Sequence, residues 1–158
     1  MKKVVASLLT LTVALSLSTS VFAAEPVKNL KSSKQAATSV NDPYEPNDDP
    51  SFATYINSNV SYNAAIGHDK DTDVFKVYAK AGEFKFSLSN LASTKERIWV
   101  ILHQEGTNTV IDQEVSRDGK LNFTVNLPAE GTYVLYINPY IEPIEKPVPY
   151  AFKAIFNQ

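Results

Sequence analysis

Between residues 42 and 50 the chain reads Asp-Pro-Tyr-Glu-Pro-Asn-Asp-Asp-Pro, four acids and an amide interrupted by three prolines. Each proline fixes its own φ and pushes the preceding residue toward an extended conformation, so the acids stand on stiff, extended backbone rather than on a helix. A second acidic knot, Asp69-Lys70-Asp71-Thr72-Asp73, runs directly into the apolar alternation Val74-Phe75-Lys76-Val77-Tyr78. Carboxylates at every second residue of a loop can converge on one hard cation, and Ca²⁺ takes about six to eight such oxygens. The two stretches together are expected to form a calcium clasp. The plainer alternative is a pair of solvated acidic loops. An EF-hand is excluded: counted from Asp69, Val74 stands where the loop needs glycine and Lys80 where it needs the closing glutamate.

Other chemistry finds little support. The two histidines, His68 and His103, are not in metalloprotease spacing, cysteine is absent, and no Gly-x-Ser-x-Gly elbow occurs. His68 beside Asp69 reads as a loop residue, and His103 as the surface end of a strand. We therefore expect a non-enzymatic protein.

The aromatic residues offer a different kind of site. Along residues 132–138, Tyr133, Leu135 and Ile137 point to one side of a strand, and Val134, Tyr136 and Asn138 to the other. If Tyr136 and the nearby Tyr140 share a solvent face with Trp99, they form a ligand-binding platform for a polymer, because rigid rings give contact area at low entropic cost. The competing reading places most of these rings in the core.

Several segments surround these residues. Met1-Lys2-Lys3, an apolar run to about Leu17 and the small-residue end Val21-Phe22-Ala23-Ala24 have the form of a secretory signal peptide over residues 1–23, the run being short for a membrane span. Its removal takes two of the 15 basic residues and none of the 17 acidic ones, leaving a formal charge of −4. That balance argues against nucleic acid as a partner. No membrane attachment is expected after cleavage. Residues 24–41 are polar and without period, as in a flexible linker. With no cysteine available for disulfides, stability must come from a packed core and from any metal the acidic clasp binds.

From residue 42 to 158 we expect one monomeric domain. Pro50–Ile56 suggests one or two helical turns behind Asp49 as N-cap. Everything after it reads as strand. Residues 63–67 and 74–79 are short candidates, and Phe84, Phe86 and Leu88 alternate with Glu83, Lys85 and Ser87. Ile98-Trp99-Val100-Ile101-Leu102 is apolar on both faces, as near the middle of a sheet. Residues 109–115 follow, then Asp118-Gly119, the strongest hairpin signal in the chain. The alternation Leu121, Phe123, Val125, Leu127 and the segments 132–138 and 150–156 complete about eight antiparallel strands, hence an all-β sandwich. The proline-rich segment 139–149 is a long, stiff loop, a natural place for ligand contacts or for covering a sheet edge.

Taken in order, Asp-Pro-Tyr-Glu-Pro-Asn-Asp, Asp-x-Asp-Val-Phe-Lys-Val, Ala-Gly-Glu-Phe-Lys-Phe-Ser-Leu and Pro-Ala-Glu-Gly-Thr-Tyr-Val-Leu-Tyr-Ile resemble the bacterial pre-peptidase C-terminal domain, a family that includes the collagen-binding domains of clostridial collagenases. The resemblance runs from about Asp42 to Phe156. It implies a jelly-roll-like sandwich, usually appended to a secreted peptidase, although no peptidase is seen in these residues. Glu45, Asn47 and Asp48 match the segment that wraps calcium in the collagenase-type members, Asp73 matches an aspartate at the start of the strand it meets, and Asp69 and Asp71 lie where the family has further acids. Pro43 stands in place of an additional acid, which leaves one calcium rather than two. Of the aromatic positions that contact collagen, Tyr140 matches one, while Asn138 and the neighbourhood of Asp112 replace two tyrosines, a pattern that suggests a different ligand. The expected function is that of a secreted calcium-binding module adhering to an extracellular polymer, either a collagen-like protein or a cell-wall polysaccharide. The alternative is an inhibitor or folding assistant of a co-secreted peptidase.

Overall fold

Period-two patterning becomes strand almost everywhere it occurs. The computed structural model describes residues 42–91, 95–140, 143, 144 and 146–158, all within the unit Ala36–Gln158. The expected signal peptide and linker lie outside these residues. Nine strands follow in order: β1 Thr54–Tyr55, β2 Ser61–Ile66, β3 Asp73–Ala79, β4 Gly82–Asn90, β5 Ile98–Gln104, β6 Val110–Val115, β7 Lys120–Leu127, β8 Gly131–Pro139 and β9 Val148–Phe156. They form a five-stranded sheet, β1-β3-β8-β5-β6, facing a four-stranded sheet, β2-β9-β4-β7. All pairings are antiparallel except β1 with β3. The all-β sandwich expected from the sequence is therefore observed.

The core lies where the inward residues of both sheets meet. Phe84, Phe86 and Leu88 of β4 and Tyr150, Phe152 and Ala154 of β9 are buried on one side; Phe75 and Val77 of β3 and Tyr133, Leu135 and Ile137 of β8 are buried on the other. Phe75 and Phe152 touch across the layers with centroids 4.7 Å apart, and Phe152 also packs near Phe86, Tyr62 and Tyr150. Aromatic contacts of this kind add to the transfer free energy of the buried rings.

Three local expectations are corrected. Pro50–Ile56 is not helical. Asp49 does cap a turn, accepting the Ser51 N–H at 2.7 Å on its carboxylate and the Phe52 N–H at 2.8 Å on its carbonyl. The chain then leaves to form β1, where the Ile56 N–H reaches the Lys76 carbonyl at 2.9 Å. A segment this short cannot recover the cost of helix nucleation, and ladder bonds to β3 take its place.

Asp118 and Gly119 have φ of 51° and 71°, the left-handed pair of a tight hairpin turn. Pairing beyond them stops at Arg117 and Lys120, because β6 joins one sheet and β7 the other. The turn thus connects the two layers rather than two neighbours. The apolar run at Ile98–Leu102 lies one strand in from the β6 edge, and only Ile98, Val100 and Leu102 enter the core. Trp99, Ile101 and His103 stay half-exposed on the outer face.

Candidate metal centre and adjoining cleft

The two acidic stretches meet at one end of the sandwich. Val74 donates its N–H to the Asn47 carbonyl at 2.9 Å, and Thr72 donates to the Asp48 carboxylate at 3.1 Å. These bonds hold the 42–50 segment against the entry to β3, and the segment follows turns and bends rather than the extended course expected from its prolines, with the Tyr44 N–H turned back onto the Asp42 carboxylate. Asp42 anchors the segment's start by accepting the N–H of Ala65 at 2.6 Å and that of Tyr44 at 2.8 Å.

Within this junction Glu45, Asp71 and Asp73 each place a carboxylate oxygen within 4.8 Å of the others. Asp73 is fully buried at the start of β3, and one of its oxygens accepts the Tyr150 hydroxyl from the opposite sheet at 2.7 Å. Its other oxygen, Oδ1, has no partner. Asp71 is likewise buried, with Oδ2 accepting the Gly67 N–H and Oδ1 unpartnered. A Cβ on Gly67 would stand 3.2 Å from that Oδ2, so glycine permits the close approach. Asn47 is also fully buried, and neither atom of its side-chain amide has a partner.

Buried polar atoms are ordinarily paired, since an orphan costs roughly 1–3 kcal/mol. Three buried residues with orphaned atoms beside a third carboxylate form a donor set that lacks its acceptor. Hard oxygen donors without thiolate or imidazole suit Ca²⁺ better than a soft metal. The residues present therefore fit a hard metal ion.

Electrostatics point the same way. Burial, followed by repulsion from Asp42, pushes the Asp73 carboxyl up to about 8, against which the Tyr150 hydroxyl works only in part. Glu45 is raised to about 7 by desolvation and then by Asp71, although the residue as a whole is exposed. Asp71 is raised by burial first, with Asp48 adding to it and the Gly67 N–H opposing. Carboxylates crowded in low dielectric resist ionisation unless a cation joins them.

Of the six expected ligands, then, Glu45, Asp71 and Asp73 are brought together, and Asn47 is buried next to Glu45, whose carboxylate accepts the Asn47 N–H at 3.1 Å. Asp48 stands beside them, exposed, with its carboxylate on the Thr72 N–H. Asp69 lies outside the group, exposed, and accepts the Ile144 N–H from the β8–β9 loop.

On the outer face of the five-stranded sheet, against the 69–72 loop, lies a cleft of about 410 Å³. Its floor comes from Trp99, Ile101 and His103 of β5 and Tyr136, Asn138 and Pro139 of β8. Register places Trp99 opposite Asn138 and Ile101 opposite Tyr136. The His103 and Tyr136 rings meet edge to face, 5.4 Å apart. Asp71 borders both this cleft and the carboxylate group. Tyr140 is not in the lining; the Arg97 guanidinium covers its ring at 4.4 Å.

Sequence reasoning did not find the Tyr150 hydroxyl, the Asp42 anchor or Arg97. The tyrosine lies 77 positions from its partner Asp73, so no local spacing signals it. Asp42 carried a signal, being part of the same acid-proline run.

No family model matches the chain, and no curated protein matches its sequence. Among solved structures, the pre-peptidase C-terminal domain of a Bacillus anthracis collagenase superposes with a TM-score of 0.55 at 19% identity, over 65% of this chain and 93% of that one. The fold is that of a pre-peptidase C-terminal domain. A surface-associated copper-binding protein of Methylomicrobium album matches with TM-score 0.53 at 11% identity, covering 66% of this chain and 97% of that one. A periplasmic inhibitor of g-type lysozyme from Aeromonas hydrophila matches with TM-score 0.50 at 15% identity, covering 66% and 96%. The pre-peptidase C-terminal sandwich thus has solved counterparts in several settings, and at these identities the likeness is one of fold.

Proposed function

We propose that this chain is a secreted, non-catalytic module that binds one calcium ion with Glu45, Asn47, Asp71 and Asp73 and adheres to an extracellular polymer through its outer sheet face. The observation that carries the calcium reading is the set of orphaned buried oxygens, Asn47 Oδ1, Asp71 Oδ1 and Asp73 Oδ1, the two aspartates grouped with the Glu45 carboxylate. A bound calcium ion neutralises carboxylates that otherwise repel. Asn47 and Asp71 would then lock the 42–50 segment and the 67–72 loop together, and binding confined to the native site would add to stability. Copper, bound by one of the fold neighbours, is disfavoured here because neither histidine belongs to the carboxylate group.

Adhesion is supported by the half-exposed Trp99 and Tyr136 in one cleft, and secretion by the leader-like residues 1–23. The second reading, a regulator of a co-secreted peptidase, draws on the lysozyme inhibitor of like fold. Retention on insoluble collagen or cell wall favours adhesion, whereas altered activity of a co-secreted peptidase favours regulation.

Thermal unfolding tests the metal. With calcium a hundredfold above its Kd, linkage adds about 2.7 kcal/mol, a rise of roughly 10 °C for a domain of this size. Glu45→Gln and Asp73→Asn should each abolish the rise. Identical melting with calcium and with chelator would remove the calcium reading.

A further inference from the structure

The outer face of the four-stranded sheet differs from the rest of the chain in charge. Alternation along β4, β7 and β9 turns Phe84, Phe86, Phe123 and Phe152 inward, so Lys85, Lys120 and Lys153 point outward, with Glu83 as the one acid among the outward positions of the sheet. Glu83 engages Lys85 at 2.6 Å. Among the described residues, neither Lys120 nor Lys153 has a carboxylate partner. Arg117 is a further cation without one. It exchanges both backbone hydrogen bonds with Lys120, at 2.8 and 2.9 Å, and directly opposed residues of an antiparallel pair send their side chains to the same side. In a chain with 17 acidic residues against 15 basic ones, this is a local reversal of sign. Register fixes the spacing of the cations. Lys120 stands opposite Ser89, and Lys153 opposite Ser87, so the two stems leave the sheet about 12 Å apart, two strands across and one two-residue step along. Ser87, Ser89 and Asn122 fill the space between them with small polar groups. None of the outward residues of this sheet is aromatic.

We propose that this face binds a linear polyol phosphate, a flexible chain of phosphodiesters joined through hydroxyl-bearing carbons, of which poly(glycerol phosphate) is the simplest. Its negative charge on every repeat answers the track of Arg117, Lys120 and Lys153. Its hydroxyls both donate and accept, as do the serine hydroxyls and the asparagine amide between the cations. Sugar rings and unpaired bases are held largely by stacking on aromatic side chains, and this face offers none. An anionic lipid surface calls for a larger basic cluster or an apolar anchor. The inference goes beyond the adhesion reading and does not rest on it, because the Trp99 and Tyr136 cleft belongs to the other sheet.

Titration of isotope-labelled protein with a short glycerol phosphate oligomer, at low salt and fixed free calcium, tests the site by amide chemical shifts. Those of Ser87, Lys120, Asn122 and Lys153 should move and saturate, while Ile101 and Tyr136 on the other sheet stay in place. Arg117→Gln, Lys120→Gln and Lys153→Gln should each weaken binding about fivefold and make the slope of log affinity against log salt shallower by about 0.7, without moving the melting temperature. Lys146→Gln removes the same charge from an exposed position off these strands, and should change neither. Absence of shifts on this face overturns the proposal, as do shifts confined to residues 67–73, which would mean that the polymer is held through calcium. Unchanged affinity in all three variants overturns it too. So does tighter binding of a sulfated glycan oligomer or of phosphatidylglycerol vesicles than of the glycerol phosphate. Retention on a polymer that carries no phosphate tests the cleft on the other sheet separately, so either reading can fall without the other.

Discussion

The behaviour of single residues is dominated by carboxyls that the fold makes reluctant to ionise. Asp73 has a native pKa near 8 against an ordinary value of 3.8. A carboxyl whose pKa is raised by folding holds its proton more tightly in the native state, so its contribution is fully present below about pH 4 and is lost as pH climbs through 8. Glu45, raised to about 7, and Asp71, raised by burial, carry the same sign. Metal-free protein should therefore melt at a higher temperature at pH 5 than at pH 8.5. The stabilisation by calcium should run the other way, growing with pH as protons leave its ligands. Calorimetry of metal-free and calcium-loaded protein at the two pH values checks both slopes. A metal-free melting temperature that rises with pH would show that these groups are not the ones in control.

At the level of elements, the turn at Asp118-Gly119 is the joint between the sheets. Gly119 combines φ of 71° with a carbonyl that accepts the Asn90 N–H at 2.7 Å, so its backbone is held in a region that a Cβ resists. Gly119→Ala should lower stability by about 1–2 kcal/mol, read as an earlier urea midpoint with unchanged slope. An unaltered midpoint would mean that the turn relaxes without cost. The same element shows why a correct turn signal can mislead about pairing: the dipeptide specifies local chirality, and the side chains of β6 and β7 decide which layer each strand enters.

For the molecule as a whole, stability without disulfides rests on the aromatic seam between layers and on the junction that the metal would close. Phe152, 2% exposed and in contact with rings from both sheets, is central to the seam. Phe152→Ala should cost about 3–5 kcal/mol, measured by urea unfolding, and a loss under 1 kcal/mol would show that the layers close over the cavity. At the junction, the 42–50 segment is tied by the backbone N–H groups of residues 65, 72 and 74, which reach the Asp42 and Asp48 carboxylates and the Asn47 carbonyl, but is otherwise largely exposed. Chelation should speed chymotryptic cleavage near Tyr44 and Phe52 before the sandwich itself is cut. Simultaneous loss of both would place the metal's effect on global unfolding rather than on this segment.

The sequence by itself determined the layered β architecture, because alternation such as Phe84, Phe86, Leu88 and Leu121, Phe123, Leu127 can bury a face only as strand. It also marked the acid-proline run and the Asp71, Asp73 pair, whose spacing places carboxylates at a strand's entry. It did not separate Asp69 from its neighbours, since successive alternate acids look alike until a loop turns one toward the β8–β9 connection. Nor did it decide which rings are core: Tyr133 and Tyr136 lie on the same strand, three residues apart, yet one is sealed between sheets and the other lines a cleft. Those outcomes depend on contacts between distant strands, such as Tyr150 with Asp73 and Trp99 opposite Asn138, and only the packing of the two sheets brings such residues together.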